Sequence, residues 1–103
     1  MNPFGNPQKL MKQLQQAQER MQEEIAALRI EATAGGGMVK VEVSGEKALL
    51  SLKIDPEVVS KDDVEMLQDL ILAAVNEGCR RVDEAVKEKV AGLTSGMKIP
   101  GLT

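Results

Sequence analysis

The residues of this chain that could do chemistry are few, and most of them are cations. Lys9, Lys12 and Arg20, with the amides Gln13 and Gln16, fall within an arc of about 100° when their segment is wound at 100° per residue. Cations and amides on one exposed helical face suit phosphate oxygens, which accept hydrogen bonds from both. The competing reading is a plain solvated face. Glu19 and Glu23 flank its lower end, so any anion-binding character belongs to roughly the first three turns. A second group, Arg80, Arg81, Lys87 and Lys89, lies toward the C-terminus, with Lys98 beyond it. Glu77–Arg81 and Asp83–Lys87 are spaced i,i+4 in the favourable orientation, and Arg80–Glu84 in the reverse one. Intrahelical pairing therefore accounts for much of this group, leaving Lys87, Lys89 and Lys98 as contact candidates.

Catalysis finds little support. The chain has no His, Trp or Tyr, which removes the commonest general base and metal ligand. Asp62 and Asp63 are adjacent, so on a helix their carboxylates point apart, and acids at a helix N-terminus answer the macrodipole. The one thiol, Cys79, falls at the edge of an apolar stripe, where a buried, inert thiol outweighs a nucleophile. Gly35, Gly36 and Gly37 lead into a strand, not a helix, and no Lys-Ser/Thr follows them, so they read as a hairpin turn and not a phosphate loop. The six methionines show no metal-binding pattern. No cofactor, metal or small-molecule substrate is expected, and no enzyme.

With 103 residues the chain is read as one domain. Its only aromatic, Phe4, sits in an N-terminal arm with Pro3 and Gly5, so the core must be built from Leu, Ile, Val, Ala and Met. A small domain without large aromatic side chains buries little apolar area, and oligomerisation is the natural remedy. A single cysteine excludes an intrachain disulfide, no apolar run is long enough to span a bilayer, and the N-terminus lacks a secretory core. A cytoplasmic protein is expected. The formal net charge is −3, but it is unevenly placed. Residues 1–18 carry Lys9 and Lys12 and no acid, and residues 85–103 carry Lys87, Lys89 and Lys98 against Glu88. Residues 55–84 hold nine acids against Lys61, Arg80 and Arg81.

These cations need elements to hold them. From Pro7 to about Leu28 the chain is rich in strong helix formers, with an apolar stripe through Leu10, Leu14, Ala17, Met21, Ile25 and Leu28. Arg29 to Ala34 reads as a short strand. Val39, Val41 and Val43 alternate with Lys40 and Glu42 in a second, and Leu50, Leu52 and Ile54 alternate with Ser51 and Lys53 in a third. Ser44-Gly45-Glu46 supplies the second turn. The pattern predicts a three-stranded antiparallel meander with one apolar face. Asp55-Pro56-Glu57 then opens a single helical turn, and Ser60 with Asp63 approximates a capping box for a second long helix from about Lys61 to Ala91. Gly92 is placed as its C-cap, and residues 92–103, like residues 1–6, are read as flexible.

Length arithmetic adds a partner. A strand of about seven residues spans roughly 23 Å, whereas a helix of about 30 spans roughly 45 Å. The second helix therefore overhangs its sheet while its apolar stripe continues through Val82, Ala85 and Val86. The first helix is expected to cover part of the overhang, and a second copy of the chain the rest, in a two-fold homodimer.

The order of segments resembles a known family. KLMKQLQQAQERMQEE, then AGGGMVKVEVSGE, then LSLKIDPEVV, then LQDLILAAVNE and a Gly/Pro tail are similar, over nearly the whole chain, to the nucleoid-associated YbaB/EbfC family of small bacterial DNA-binding proteins. The resemblance implies an α+β fold and a tweezer-like homodimer whose helices project from a central sheet and grip duplex DNA. It implies low or modest sequence specificity and a place in the cytoplasm at the nucleoid, influencing nucleoid organisation and gene expression. The matching block, Gly35 to Glu57, is scaffold, so the DNA contacts stay with the helix-end residues Lys9, Lys12, Gln13, Gln16, Arg20, Lys87, Lys89 and Lys98. Two other classes fit the same elements: a holdase chaperone gripping through Phe4, Leu10 and Met11, and an adaptor docking through its acidic middle.

Overall fold

The computed structural model describes residues 6–96, with side chains to residue 92. Phe4 and Lys98 lie outside the described residues. Asn6 opens the first helix by accepting a hydrogen bond from the Gln8 amide at 3.0 Å, and Pro7 fills the first helical position. The helix, α1, covers Pro7–Ala26. It stops short of Leu28 because the Leu28 amide turns back to the Ile25 carbonyl at 3.1 Å, freeing the chain to enter a strand at Arg29.

Three strands follow, β1 (Arg29–Ala34), β2 (Val39–Ser44) and β3 (Leu49–Ile54), in the antiparallel order β1-β2-β3. Ala34 pairs with Val39, and Gly35, Gly36 and Gly37 close the hairpin at φ values of 64°, 67° and 92°, which only glycine adopts without strain. At the second turn the Ser44 hydroxyl accepts from the Glu46 and Ala48 amides. The positive φ there belongs to Lys47, at 65°, and not to Gly45. Gly45 answers a different need: a Cβ at this position would run into the Ile25 carbonyl, so glycine lets the base of α1 seat on the turn.

Asp55 caps a 3-10 turn over Pro56–Val58, its carboxylate accepting from the Glu57 amide at 2.9 Å. The second helix, α2, covers Val64–Gly96. It starts later than the sequence suggests because Asp63 is the cap, accepting from the Met66 amide at 3.1 Å. Ser60 instead holds a turn through the Asp62 amide. Gly92 does not end it; the helix runs on to Gly96.

The core lies between α2 and one face of the sheet. Ala32, Val39, Val41 and Val43 from the strands meet Ala74 and Val82 from the helix, with Leu67, Leu70, Ile71, Val75 and Val86 packed around them. Gly78 lets the helix come close, since a Cβ there would stand 2.7 Å from Val43 Cγ2. α2 lies over β1 and β2. It leaves β3 uncovered: Leu50 and Leu52, expected on the apolar face, are 44% and 40% exposed, and Leu49 beside them is 48% exposed. The overhang of α2 is real, at 33 residues and roughly 50 Å against roughly 20 Å of strand. α1 does not cover it: no residue of α1 is buried. The chain is accordingly long and thin, 76 × 27 × 15 Å.

Candidate nucleic-acid interface

α1 carries its polar face free of the rest of the molecule. Every residue from Asn6 to Arg20 is exposed, including Lys9, Lys12, Gln13, Gln16 and Arg20. Only Met21, Ile25 and Leu28, at its base, are half-buried. Among the described residues none of Lys9, Lys12 and Arg20 is in an ion pair. Two contacts anchor the base, Ile25 against Gly45 and Glu24 to Lys89 at 3.8 Å, and nearby the Lys47–Asp83 pair at 2.7 Å ties the β2–β3 turn to α2. The C-terminal end of α1 therefore sits beside residues 83–89 of α2, at one end of the sheet.

The cations of α2 divide. Arg80 bridges Glu77 and Glu84, each at 2.6 Å. Arg81 reaches Glu77 at 3.1 Å and donates to the Glu31 carbonyl at 3.1 Å, on the free edge of β1. Hydrogen bonds from Arg80 and Arg81 lower the Glu77 carboxyl to about 2, and the same partner raises Arg80. Both arginines are thus engaged within the fold. Asp83 turns to Lys47 and not to Lys87, and its hydrogen bond raises the Lys47 ammonium above its ordinary range. That leaves Lys87 exposed beside the base of α1, whereas Lys89 is half-buried in its contact with Glu24. The structure so brings Lys9, Lys12, Gln13, Gln16 and Arg20 onto one projecting arm and sets Lys87 and Lys89 at its root.

Two surfaces were not singled out from the sequence. On the outer sheet face Lys40 stands directly opposite Lys53, next to a row of Glu31, Glu42 and Ser51, with Arg29 on Glu42 at 2.7 Å. The row of lysines beside a row of acids makes this face mixed in charge. The second surface is apolar. Asp83 faces the β2–β3 turn, and Leu72, Cys79, Val86 and Val90 share its flank of α2 within about 60° of arc. The opposite flank carries Leu70, against Gly35, and Arg81, against β1. Leu72, 60% exposed, thus stands on the side of α2 that overlooks the uncovered leucines of β3, and helix and strand form an apolar corner. The signal in the sequence was the width of the α2 stripe, through Leu72 and Val86, which exceeds what three strands need.

Among the described residues no group of His, Cys, Asp and Glu could hold a metal, and no helix is long and apolar enough to cross a membrane.

Residues 2–97 match the description of the YbaB/EbfC DNA-binding family. A nucleoid-associated protein of Koribacter versatilis is 54% identical over 96 residues, covering 93% of this chain and 95% of its own. One of Thermoanaerobacter pseudethanolicus is 51% identical over 100 residues, covering 94% and 90%. The fold is similar to the crystal structure of the uncharacterized protein HP0035 from Helicobacter pylori, with a TM-score of 0.72 at 24% identity, covering 91% of this chain and 99% of that one.

Proposed function

The chain belongs to the YbaB/EbfC DNA-binding family, which is not enzymatic, and from that premise we propose that it is a nucleoid-associated protein gripping duplex DNA as a homodimer. The observation that carries this reading is the arm: α1 projects with Lys9, Lys12 and Arg20 exposed and no described acid paired to them. Long flexible cations of this kind reach phosphates more readily than base edges, so binding is of low or modest sequence specificity. Gln13 and Gln16 add neutral donors on the same face. Lys87 and Lys89 contribute at the root of the arm, and Lys98 from beyond the described residues. Bound in this way along the bacterial chromosome, in the cytoplasm, the protein influences nucleoid organisation and gene expression.

The apolar corner supports the homodimer. Leu49, Leu50 and Leu52 on β3 and Leu72 on the flank of α2 toward it leave large apolar side chains exposed, the kind of surface that marks an interaction site. The β1 edge is occupied by the Arg81 guanidinium, so the open side of the sheet is β3. A second copy applied by a two-fold axis meets the same corner with its own, burying both. Two arms then project from one body as the jaws of a tweezer.

Six arm cations in such a dimer, each neutralising one phosphate, give a log–log salt slope near −5, and affinity falls about a thousandfold between 50 and 200 mM salt. Fluorescence anisotropy with a random-sequence duplex across that range measures it. Reversal of Lys9, Lys12 and Arg20 to Glu together abolishes binding and leaves the sedimenting dimer intact. Binding that is insensitive to salt, or that survives the triple reversal, refutes the arm as the site. A second reading rests on Leu10, Met11 and Leu14, exposed along the same helix. A holdase would use these, and suppression of aggregation of an unfolded client, unaffected by the triple reversal, would favour it.

A further inference from the structure

The arm is unusual as a helix. The stretch Pro7–Arg20 is exposed at every position, so no tertiary packing supports it among the described residues. Isolated helices of about 12–15 residues are marginal in water even when rich in alanine, and this stretch is of that length. Its charges also oppose its own dipole. The first turn holds Lys9 and no acid, and the last turn holds Glu23 and Glu24 and no base. Cations at the positive end and acids at the negative end each cost helix stability. Glu19 and Glu23 add a like-charge i,i+4 pair. What favours the helix is local: its strong helix formers, the Asn6 cap, Pro7, and the anchored base at Glu24 and Ile25.

A duplex changes the sign of the largest of these terms. Phosphates brought beside Lys9 and Lys12 place negative charge at the helix N-terminus, where the dipole and the free amides of the first turn favour it. The cations that destabilise the free arm become the link between it and its ligand. We propose that Pro7–Arg20 is a conditional helix: in the free protein it exchanges between helical and open forms, and the DNA it grips orders it. This rests on the reading of α1 as the DNA-contacting arm. Two consequences follow. Part of the contact energy is used to order the arm, which keeps binding weak and reversible. Apparent affinity also scales with the helical fraction of the free arm.

Substitutions can therefore separate helix stability from contact. K9E/K12E corrects the dipole while removing the phosphate ligands. Gln15→Ala with Gln18→Ala raises helix propensity on faces away from the cation arc. Hydrogen–deuterium exchange on the full chain, free and saturated with a random-sequence duplex, reads the arm directly. In the free protein the amides of residues 10–20 exchange at least tenfold faster than those of residues 74–82 of α2, and DNA slows them by tenfold or more. Free K9E/K12E protects its arm several-fold better than the parent while its DNA affinity falls. Q15A/Q18A binds DNA about twofold to threefold more tightly. An arm as protected in the free protein as α2, or equally protected in free K9E/K12E and the parent, overturns the inference. If K9E/K12E binds DNA normally, it is the assignment of the arm as the site that fails, while exchange in the free protein still decides whether the arm is marginal.

Discussion

Replacing Gly78 with alanine tests how closely α2 is seated on its sheet. The new Cβ would stand 2.7 Å from Val43 Cγ2, 3.4 Å from Val41 Cγ2 and 3.7 Å from the Ala32 Cβ. Carbon atoms prefer separations of about 3.5–4.0 Å, so the first contact must open by most of an ångström. Val41 and Val43 are each 1% exposed and β-branched, so their methyls are stiff at χ1 and closely surrounded. The overpacking cost is about 1–3 kcal/mol. Against it stands the helix-propensity gain of alanine over glycine, about 1 kcal/mol. The net expectation is a loss of about 1 kcal/mol, and for a domain of this size a fall in Tm of about 4–8 °C. Gly92 provides the control, because a Cβ there meets no atom within 4 Å. Gly92→Ala keeps the propensity gain and stabilises by up to about 1 kcal/mol. Urea unfolding followed by circular dichroism reads both, at one protein concentration because the stability of the proposed dimer would depend on it. If the two alanines stabilise alike, α2 does not approach β2 as described.

Other perturbations address the apolar corner and the charge hub. Leu52→Asp puts a carboxylate on the exposed face of β3 opposite Val41, and sedimentation should show a folded monomer whose DNA affinity has dropped with the loss of the second arm. A dimer that persists would move the interface elsewhere. Glu77 titrates at about 2 in the folded chain against an ordinary 4.5, so its ion pairs with Arg80 and Arg81 contribute stability above about pH 4.5. That contribution is lost as pH falls from there toward 2. The carboxylate is partly exposed, so solvent screening keeps the effect small. The Tm of Glu77→Gln should converge on that of the parent as pH falls to about 2, and a constant difference between the two across pH 2–6 would contradict the pairing.

What could be read from the chain was what a single segment determines. Val39, Val41 and Val43 alternate because one face of β2 is buried, and Gly35 to Gly37 are needed because that turn has three positive φ values. What could not be read was the competition between segments. Ser60 and Asp63 are both good caps, and only their hydrogen bonds show that Asp63 opens α2 while Ser60 holds a turn. Gly92 looked like a stop, yet one glycine costs a helix about 1 kcal/mol, which thirty-three consecutive helical residues absorb. Gly45 lies in the expected turn, but what requires glycine there is space beside the Ile25 carbonyl, and Lys47 takes the positive φ with an ion pair to Asp83. Leu50 and Leu52 carry the same alternation as the valines. Their exposure depends on how far one helix reaches across three strands, which periodicity does not encode.

The distribution of charge explains how a chain of net charge −3 meets DNA. Salt screens charges separated by more than about 8–10 Å, so a duplex responds to the cations it touches and not to the sum over the protein. The acids are concentrated in residues 55–84, with Asp62, Asp63, Glu65 and Asp69 at the N-terminal end of α2. Glu77, Asp83 and Glu84 are occupied by Arg81, Lys47 and Arg80. The contact at Lys89–Glu24 joins the two helices near the far end of α2. Counting 1.5 Å per residue from Lys9 to Glu24 and from Lys89 back to Val64 sets Lys9 and the acidic pole roughly 60 Å apart along the chain path. The molecule is 76 Å long, enough to hold this path extended. That separation is several screening lengths. On the proposed reading it keeps the acidic pole turned away from the duplex while the arm engages phosphate. The small sheet makes this possible by sending the C-terminal end of α2 toward the root of α1 and holding its acidic start at the opposite end.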